Sequence, residues 1–81
     1  MNMEKLVQKA KQHDKTAFTV LIEQNTKSMY KVAKAILKND EDVADALQDT
    51  ILTCWEKIGT LEKNEFFKTW LIRLLINAGI E

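Results

Sequence analysis

The 81-residue chain contains no proline and only two glycines, Gly59 and Gly79. This scarcity of helix breakers constrains the fold more than any other feature. Proline removes a backbone donor and clashes with the turn before it, and glycine adds backbone entropy that a helix must suppress. A chain almost free of both can stay helical nearly from end to end. Apolar residues recur at three- and four-residue spacing, and no segment alternates apolar with polar as a half-buried strand does. The expected class is all-α: one compact bundle of three to four helices joined by short connections. Hydrophobic residues make up 46% of the chain, enough for a core without disulfides.

The clearest helix is the stretch from Asn39 to Gly59. Asn39 is a good N-cap, and the three acids that follow (Asp40, Glu41, Asp42) sit at the positive end of the helix dipole. Lys57 and Gly59 read as the stop signal. At about 100° per residue, Val43, Leu47, Ile51, Cys54 and Ile58 share one face, with Trp55 at its margin. Asp45, Asp49, Leu52 and Glu56 fall opposite. Six carboxylates and no Lys or Arg lie between Asn39 and Glu56. The outer face is therefore an acidic ridge with one leucine, either a solvated surface or a docking surface for a basic or mixed partner.

Three other helices are expected. The first runs from about Met3 to Gln12, with Leu6, Val7 and Ala10 inward. Asp14 caps a long second helix through about Lys38, with Phe18, Leu21, Ile22, Met29, Val32, Ala33, Ile36 and Leu37 inward. Asn25 and Thr26 interrupt its stripe and predict a bend or a local polar contact. Lys27, Lys31, Lys34 and Lys38 form its basic edge, a solvated surface from which one or two lysines could contact phosphate. After a polar connection from Thr60 to Asn64, Asn64 is expected to cap a last helix from Glu65 to about Asn77, with Gly79 in a frayed end or turn. Phe67, Trp70, Leu71, Leu74 and Ala78 are its expected inner face. Ile72 and Ile76 share the polar side with Lys68, Thr69, Arg73 and Asn77, which points to a further partner for this helix. The core is expected where Phe18, Ile22, Leu47, Ile51, Trp55, Phe67 and Trp70 meet.

Much chemistry has no foothold in these residues. One cysteine and one histidine (Cys54 and His13) make no disulfide, metal site or nucleophile–base pair. No glycine-rich phosphate loop is present, and Asp45 with Asp49 on an exposed ridge is a poor acid–base pair. No enzyme activity, cofactor or metal is expected. The run from Trp70 to Ile76 is too short, and interrupted by Arg73, for membrane insertion. A cytoplasmic location is the default. The formal net charge of zero is segregated: eight lysines against three acids in residues 1–38, none against six in 39–56. That segregation points to distinct binding surfaces, although a neutral chain argues weakly for nucleic-acid binding.

The run from Asp42 to Trp55, DVADALQDTILTCW, resembles the second conserved region of bacterial extracytoplasmic-function sigma factors: an acidic pair, Ala, a hydrophobe, Gln, an acid, Thr, Phe, Leu and Trp. Lys15-Thr-Ala-Phe18 looks like the family's opening Ala-Phe helix. Met29-Tyr30 and Ala33 through Asn39 look like the stretch that follows. Phe67-Lys-Thr-Trp-Leu-Ile-Arg73 through Asn77 looks like its closing Phe-x-x-Trp-Leu-x-Arg motif. The resemblance covers nearly the whole chain, with four motifs in order.

The resemblance implies a domain that docks on the clamp helices of the RNA polymerase β′ subunit and recognises and melts the minus-ten promoter element. The docking positions match Asp45, Gln48 and Asp49, with Leu52 beside them. The loop from Thr60 to Asn64 matches the segment that captures an unstacked base of the non-template strand. Lys63, Asn64, Lys68, Arg73 and Asn77 match the DNA-facing part. Anti-sigma factors commonly cover such domains. Two departures stand out: Ala44 replaces the usual first acid of the pair, and Ile51 replaces the usual Phe. Family members usually continue past the position of Glu81 into a basic stretch and a second, helix-turn-helix domain that reads the minus-thirty-five element. The chain is thus expected to be an isolated region-two domain or a short homologue. The competing expectation is a helical protein-interaction module without nucleic-acid binding.

Overall fold

A computed structural model describes residues 2–80. Its helices are α1 (Met3–Lys11), α2 (Lys15–Ile36), α3 (Asp40–Lys57) and α4 (Phe67–Ile80), with 3-10 turns at Ile58–Thr60 and Asn64–Phe66. Among the described residues there is no strand. The 34 Å long axis of the molecule matches the length of α2, about 33 Å for 22 residues at 1.5 Å each. α1 packs on α2, α3 lies against α2 and α4, and α4 closes back on α2.

The caps explain the boundaries. Asp14 accepts a hydrogen bond from the Ala17 N–H (3.0 Å) and Asn39 from the Glu41 N–H (2.7 Å). Asn2, not anticipated as a cap, accepts from the Lys5 N–H at 2.9 Å. α1 ends in a paired turn: His13 N–H donates to the Ala10 carbonyl (2.9 Å) and Asp14 N–H to the Lys9 carbonyl (3.1 Å). Such a turn needs a left-handed residue, and His13 supplies it at φ 64°.

Several expectations shift. α2 stops at Ile36 because Leu37 turns extended (φ −111°, ψ 134°). Lys38 therefore lies in the connection, and Ile36 is exposed rather than inward. Gly59 does not stop α3 with a left-handed turn; no glycine has positive φ, and the helix tightens into 3-10 geometry through Ile58–Thr60. Asn64 does not cap α4. Its residue opens a 3-10 turn, and its side chain accepts from Lys11 Nζ (3.0 Å) and donates to Gln8 Oε1 (2.9 Å). This tethers the connection to α1. α4 starts at Phe67 and runs through Gly79 to Ile80, so Gly79 is helical.

The core is also rotated relative to expectation. Phe18, Ile22 and Phe67 are buried, but Leu47, Ile51, Trp55 and Trp70 pack at its edge. On α3 the buried row is Val43, Ala46, Thr50 and Cys54. Small Ala46 and Thr50 take the buried row, and bulkier Leu47 and Ile51 flank the contact. α4 buries Phe67, Leu71 and Leu75, a row at four-residue spacing that selects Leu75 over Leu74. The two buried polar side chains bond back to their own helices: Asn25 Nδ2 to the Leu21 carbonyl (2.8 Å) and Thr50 Oγ1 to the Ala46 carbonyl (2.7 Å). Asn25 thus makes the local polar contact its position in the stripe predicts. No buried side-chain polar atom lacks a partner among the described residues.

Candidate functional site

The ridge on α3 is set by helical spacing. With Val43, Ala46, Thr50 and Cys54 buried, Asp45, Gln48, Asp49, Leu52 and Glu56 must face outward, and all are exposed. Asp45 and Leu52 are about 10 Å apart along the axis at 1.5 Å per residue. Leu52 is 55% exposed between carboxylates. An apolar contact ringed by charge suits a partner helix that carries Lys or Arg around an apolar side chain.

The ridge is not isolated. α4 runs alongside and makes a groove in which Asp49, Leu52, Thr53, Glu56 and Lys57 face Leu74, Asn77 and Ala78. Nearer the start of α3, Asp42, Asp45 and Asp49 line a second groove with Leu37, Gly79 and Ile80. The structure thereby brings Asn77 together with Asp49 and Leu52.

The remaining sequence candidates lie around the connection to α4. Leu61 is buried and anchors it. Thr60 Oγ1 donates to the Lys57 carbonyl (2.6 Å). Lys63 is exposed, its ammonium 5.9 Å from the ring centroid of Phe66. Phe66 is itself 55% exposed. Asn64, tied to Gln8 and Lys11, is half-buried, whereas Lys68 and Arg73 are exposed on α4. Arg73 and Asn77, four residues apart, share one outward row. Lys68 is about 140° around the helix from Arg73 at 100° per residue, so the two do not share a face.

Sequence reasoning missed Phe66. The signal was the adjacent pair Phe66-Phe67: two consecutive large residues at a helix start cannot both enter one core, so one must face solvent. On α2, Lys34 forms an exposed ion pair with Asp40 across the α2–α3 connection. Its hydrogen bond and charge hold the Asp40 carboxyl below its ordinary range and raise the Lys34 ammonium. Lys27 and Lys31 flank half-exposed Tyr30. Cys54 is fully buried, and desolvation pushes its thiol up to about 12. Among the described residues no three His, Cys, Asp or Glu side chains converge to hold a metal ion, and no helix is long and apolar enough to cross a membrane.

The family model for sigma-70 region 2 matches residues 21–81. The chain belongs to the sigma-70 region 2 family. It is 28% identical over 74 residues to the RNA polymerase sigma factor NccH of Alcaligenes xylosoxydans xylosoxydans, covering 91% of this chain and 40% of that protein. It is 25% identical over 81 residues to the ECF RNA polymerase sigma factor SigW of Bacillus subtilis, covering 100% of this chain and 43% of SigW. With the ECF RNA polymerase sigma factor SigM of Mycobacterium tuberculosis it shares 28% identity over 68 residues, 84% of this chain and 35% of SigM. The chain thus spans less than half the length of these curated relatives. Its fold is that of an engineered region 2 of sigmaE solved by NMR in complex with GTAAAA: TM-score 0.90, 21% identity, 99% of this chain and 83% of that chain. The family match begins at Leu21, inside α2, while the structural match takes in α1 as well.

Proposed function

We propose that this chain is the polymerase-docking and promoter-melting domain of an extracytoplasmic-function sigma factor, a binding domain with no catalytic step of its own. The observation that carries the reading is the outward row Asp45, Gln48, Asp49 and Leu52 on a helix whose opposite row is fully committed to the core. The partner is RNA polymerase core, through the clamp helices of its β′ subunit. The carboxylates and the Gln48 amide would meet basic and polar side chains of a clamp helix, and Leu52 an apolar one. Lys63, Lys68 and Arg73 supply donors for phosphates and base edges of the non-template minus-ten strand. Asn64 holds the connection in place from within. Unstacking a base costs a few kcal/mol, which contacts in this region must offset. The protein would work in the cytoplasm, where an anti-sigma factor covering the ridge would block docking.

The test is a pull-down of polymerase core by the wild-type chain and by the double variant Gln48→Ala/Asp49→Ala. Both positions are exposed, so helicity by circular dichroism should not change. Loss of core binding is the expected result; undiminished binding by the folded variant sinks the docking assignment. In a parallel titration, single-stranded minus-ten DNA should bind weakly, preferentially over a scrambled strand, and with strong salt dependence. A helical interaction module without nucleic-acid binding predicts no difference between the two strands.

A further inference from the structure

Between buried Leu61 and buried Phe67, four of the five residues are exposed and Asn64 alone is half-buried. Its amide is engaged by α1 at both ends. Oδ1 accepts from Lys11 Nζ at 3.0 Å, and Nδ2 donates to Gln8 Oε1 at 2.9 Å. Gln8 and Lys11 are three residues apart, so they stand on one row of α1 and meet the same amide. Asn64 is also the pivot of the connection. It opens the 3-10 turn Asn64–Phe66, in which Phe66 N–H donates to the Lys63 carbonyl at 3.0 Å. Lys63 precedes the pivot and Phe66 lies two residues beyond it, the ammonium 5.9 Å from the ring centroid. Fixing Asn64 therefore fixes two exposed groups able to take a phosphate and a base. A strand that finds these groups already arranged binds without the cost of ordering them. We propose that Gln8 and Lys11 are positioning residues for single-strand capture: acting through Asn64, they hold the connection in the shape that receives the non-template minus-ten strand. The inference rests on the DNA reading above and gives α1 a part in it without contact with the strand.

The experiment titrates the full 81-residue chain with single-stranded minus-ten DNA and with a scrambled strand, well below the thermal midpoint. The variants are Gln8→Ala, Lys11→Met, Asn64→Ala and Gln8→Ala/Asn64→Ala. Loss of a tether bond lowers the fraction of chains whose connection is in place, and apparent affinity falls with that fraction. Gln8→Ala and Lys11→Met should each weaken minus-ten binding about two- to tenfold, the equivalent of one net hydrogen bond. Gln8→Ala should change binding of the scrambled strand by less than about twofold, because attraction to phosphates needs no fixed connection. In Lys11→Met the dependence of affinity on salt should keep its wild-type slope, since Lys11 meets Asn64 and not a phosphate. With Asn64 already replaced, Gln8→Ala should have no further effect, as expected of residues that act through one another. Capture of polymerase core should match wild type in both α1 variants.

Wild-type affinity for the minus-ten strand in Gln8→Ala and Lys11→Met overturns the proposal, even where the thermal midpoint falls, because the tether would then serve the fold alone. A salt slope lowered by about one in Lys11→Met overturns it for Lys11 and makes that ammonium a phosphate contact. Additive losses in Gln8→Ala/Asn64→Ala overturn it for Gln8 and place that side chain on the strand itself. If the wild-type chain binds both strands alike, the base-capture reading falls and the positioning role with it. If wild type discriminates and the α1 variants discriminate equally well, base capture stands and the positioning role falls.

Discussion

The imidazole of His13 meets the indole of Trp55 edge-on, ring centroids 4.9 Å apart, while the His13 backbone sits at φ 64°. Trp55 also takes the ring of Phe18 edge-on at 4.9 Å. One residue thus closes α1 and ties the turn to α3, through a backbone conformation that favours glycine. An L-residue held left-handed costs about 1–2 kcal/mol, and an edge-on aromatic contact returns about 0.5–1.5 kcal/mol. The two effects separate by substitution. His13→Gly should be nearly neutral, because it relieves the strain and loses the contact. His13→Ala keeps the strain and loses the contact, and should be less stable than His13→Gly by about 1 kcal/mol. Urea midpoints of the two variants decide it; equal midpoints would mean the left-handed turn is not retained.

Gly59 is the counterpart case. By pattern it is a left-handed stop, but its φ is not positive and a Cβ there would meet nothing within 4 Å. Gly59→Ala should therefore stabilise by about 0.4–1 kcal/mol, mainly by restricting the unfolded chain. A fall in thermal midpoint would show that the 3-10 turn needs glycine after all.

These two residues show what was legible in the sequence and what was not. Helix number, order and most caps follow from local signals: Asp14, Asn39 and the breaker-poor composition act within one turn of where they sit. Gly59 and His13 exchanged roles because a stop can be made by tightening into 3-10 geometry, or by a non-glycine residue whose side chain gains a tertiary contact. Neither choice is local. The acidic ridge was legible because an outer face is the complement of a buried one, and a shift in the buried row from Leu47 and Ile51 to Ala46 and Thr50 left Asp45, Asp49 and Leu52 exposed. The α4 side of the groove was not legible: which helix lies beside the ridge depends on packing, and Leu74 and Ala78 read equally well as core. Asn64 misled for a similar reason, since its partners Gln8 and Lys11 lie 56 and 53 residues away.

Asn25 is a sensitive point in α2. Its amide is buried and donates to the Leu21 carbonyl. Asn25→Asp preserves the shape, removes the donor and buries a carboxylate. The variant should lose on the order of 3 kcal/mol at neutral pH, as an uncompensated buried charge does. Burial raises the folded-state pKa of the new carboxyl above its unfolded value. The loss is thus full above the folded pKa and shrinks as pH falls towards the unfolded pKa, near 3.9. Denaturation at pH 7 and pH 4 checks this; a pH-independent loss would assign the effect to the missing donor.

Cys54 reports on the same interior by a different route. Its side chain is fully buried, and desolvation raises its thiol from 9.0 to about 12. The folded chain holds that proton more tightly than the unfolded chain. The resulting stability is present below pH 9 and is lost as pH rises from about 9 to about 12. A thiol-specific disulfide reagent at pH 8 should therefore react only as fast as the domain opens, and Cys54→Ala should flatten the stability profile above pH 9. Rapid labelling of the native chain would contradict the burial of the α3 inner row.

Phe66 and Phe67 are adjacent, but one faces water and the other is fully buried. That contrast makes a paired prediction about stability and binding. Phe67→Ala should cost about 3–5 kcal/mol, a large share of the stability of a domain this small. Phe66→Ala should leave the thermal midpoint almost unchanged, because little apolar contact is lost. In the DNA titration the order should reverse for the folded variants. Phe66 offers an exposed ring with Lys63 beside it, a pairing that can stack a base and hold its phosphate. Stacking on an aromatic side chain is worth about 1–3 kcal/mol per base, so Phe66→Ala should lower affinity for single-stranded minus-ten DNA about 5- to 150-fold. Lys63→Ala should weaken binding less and lower its salt dependence by about one counterion. Unchanged affinity in Phe66→Ala would place base capture elsewhere on the connection and leave the exposed ring without a role in DNA binding.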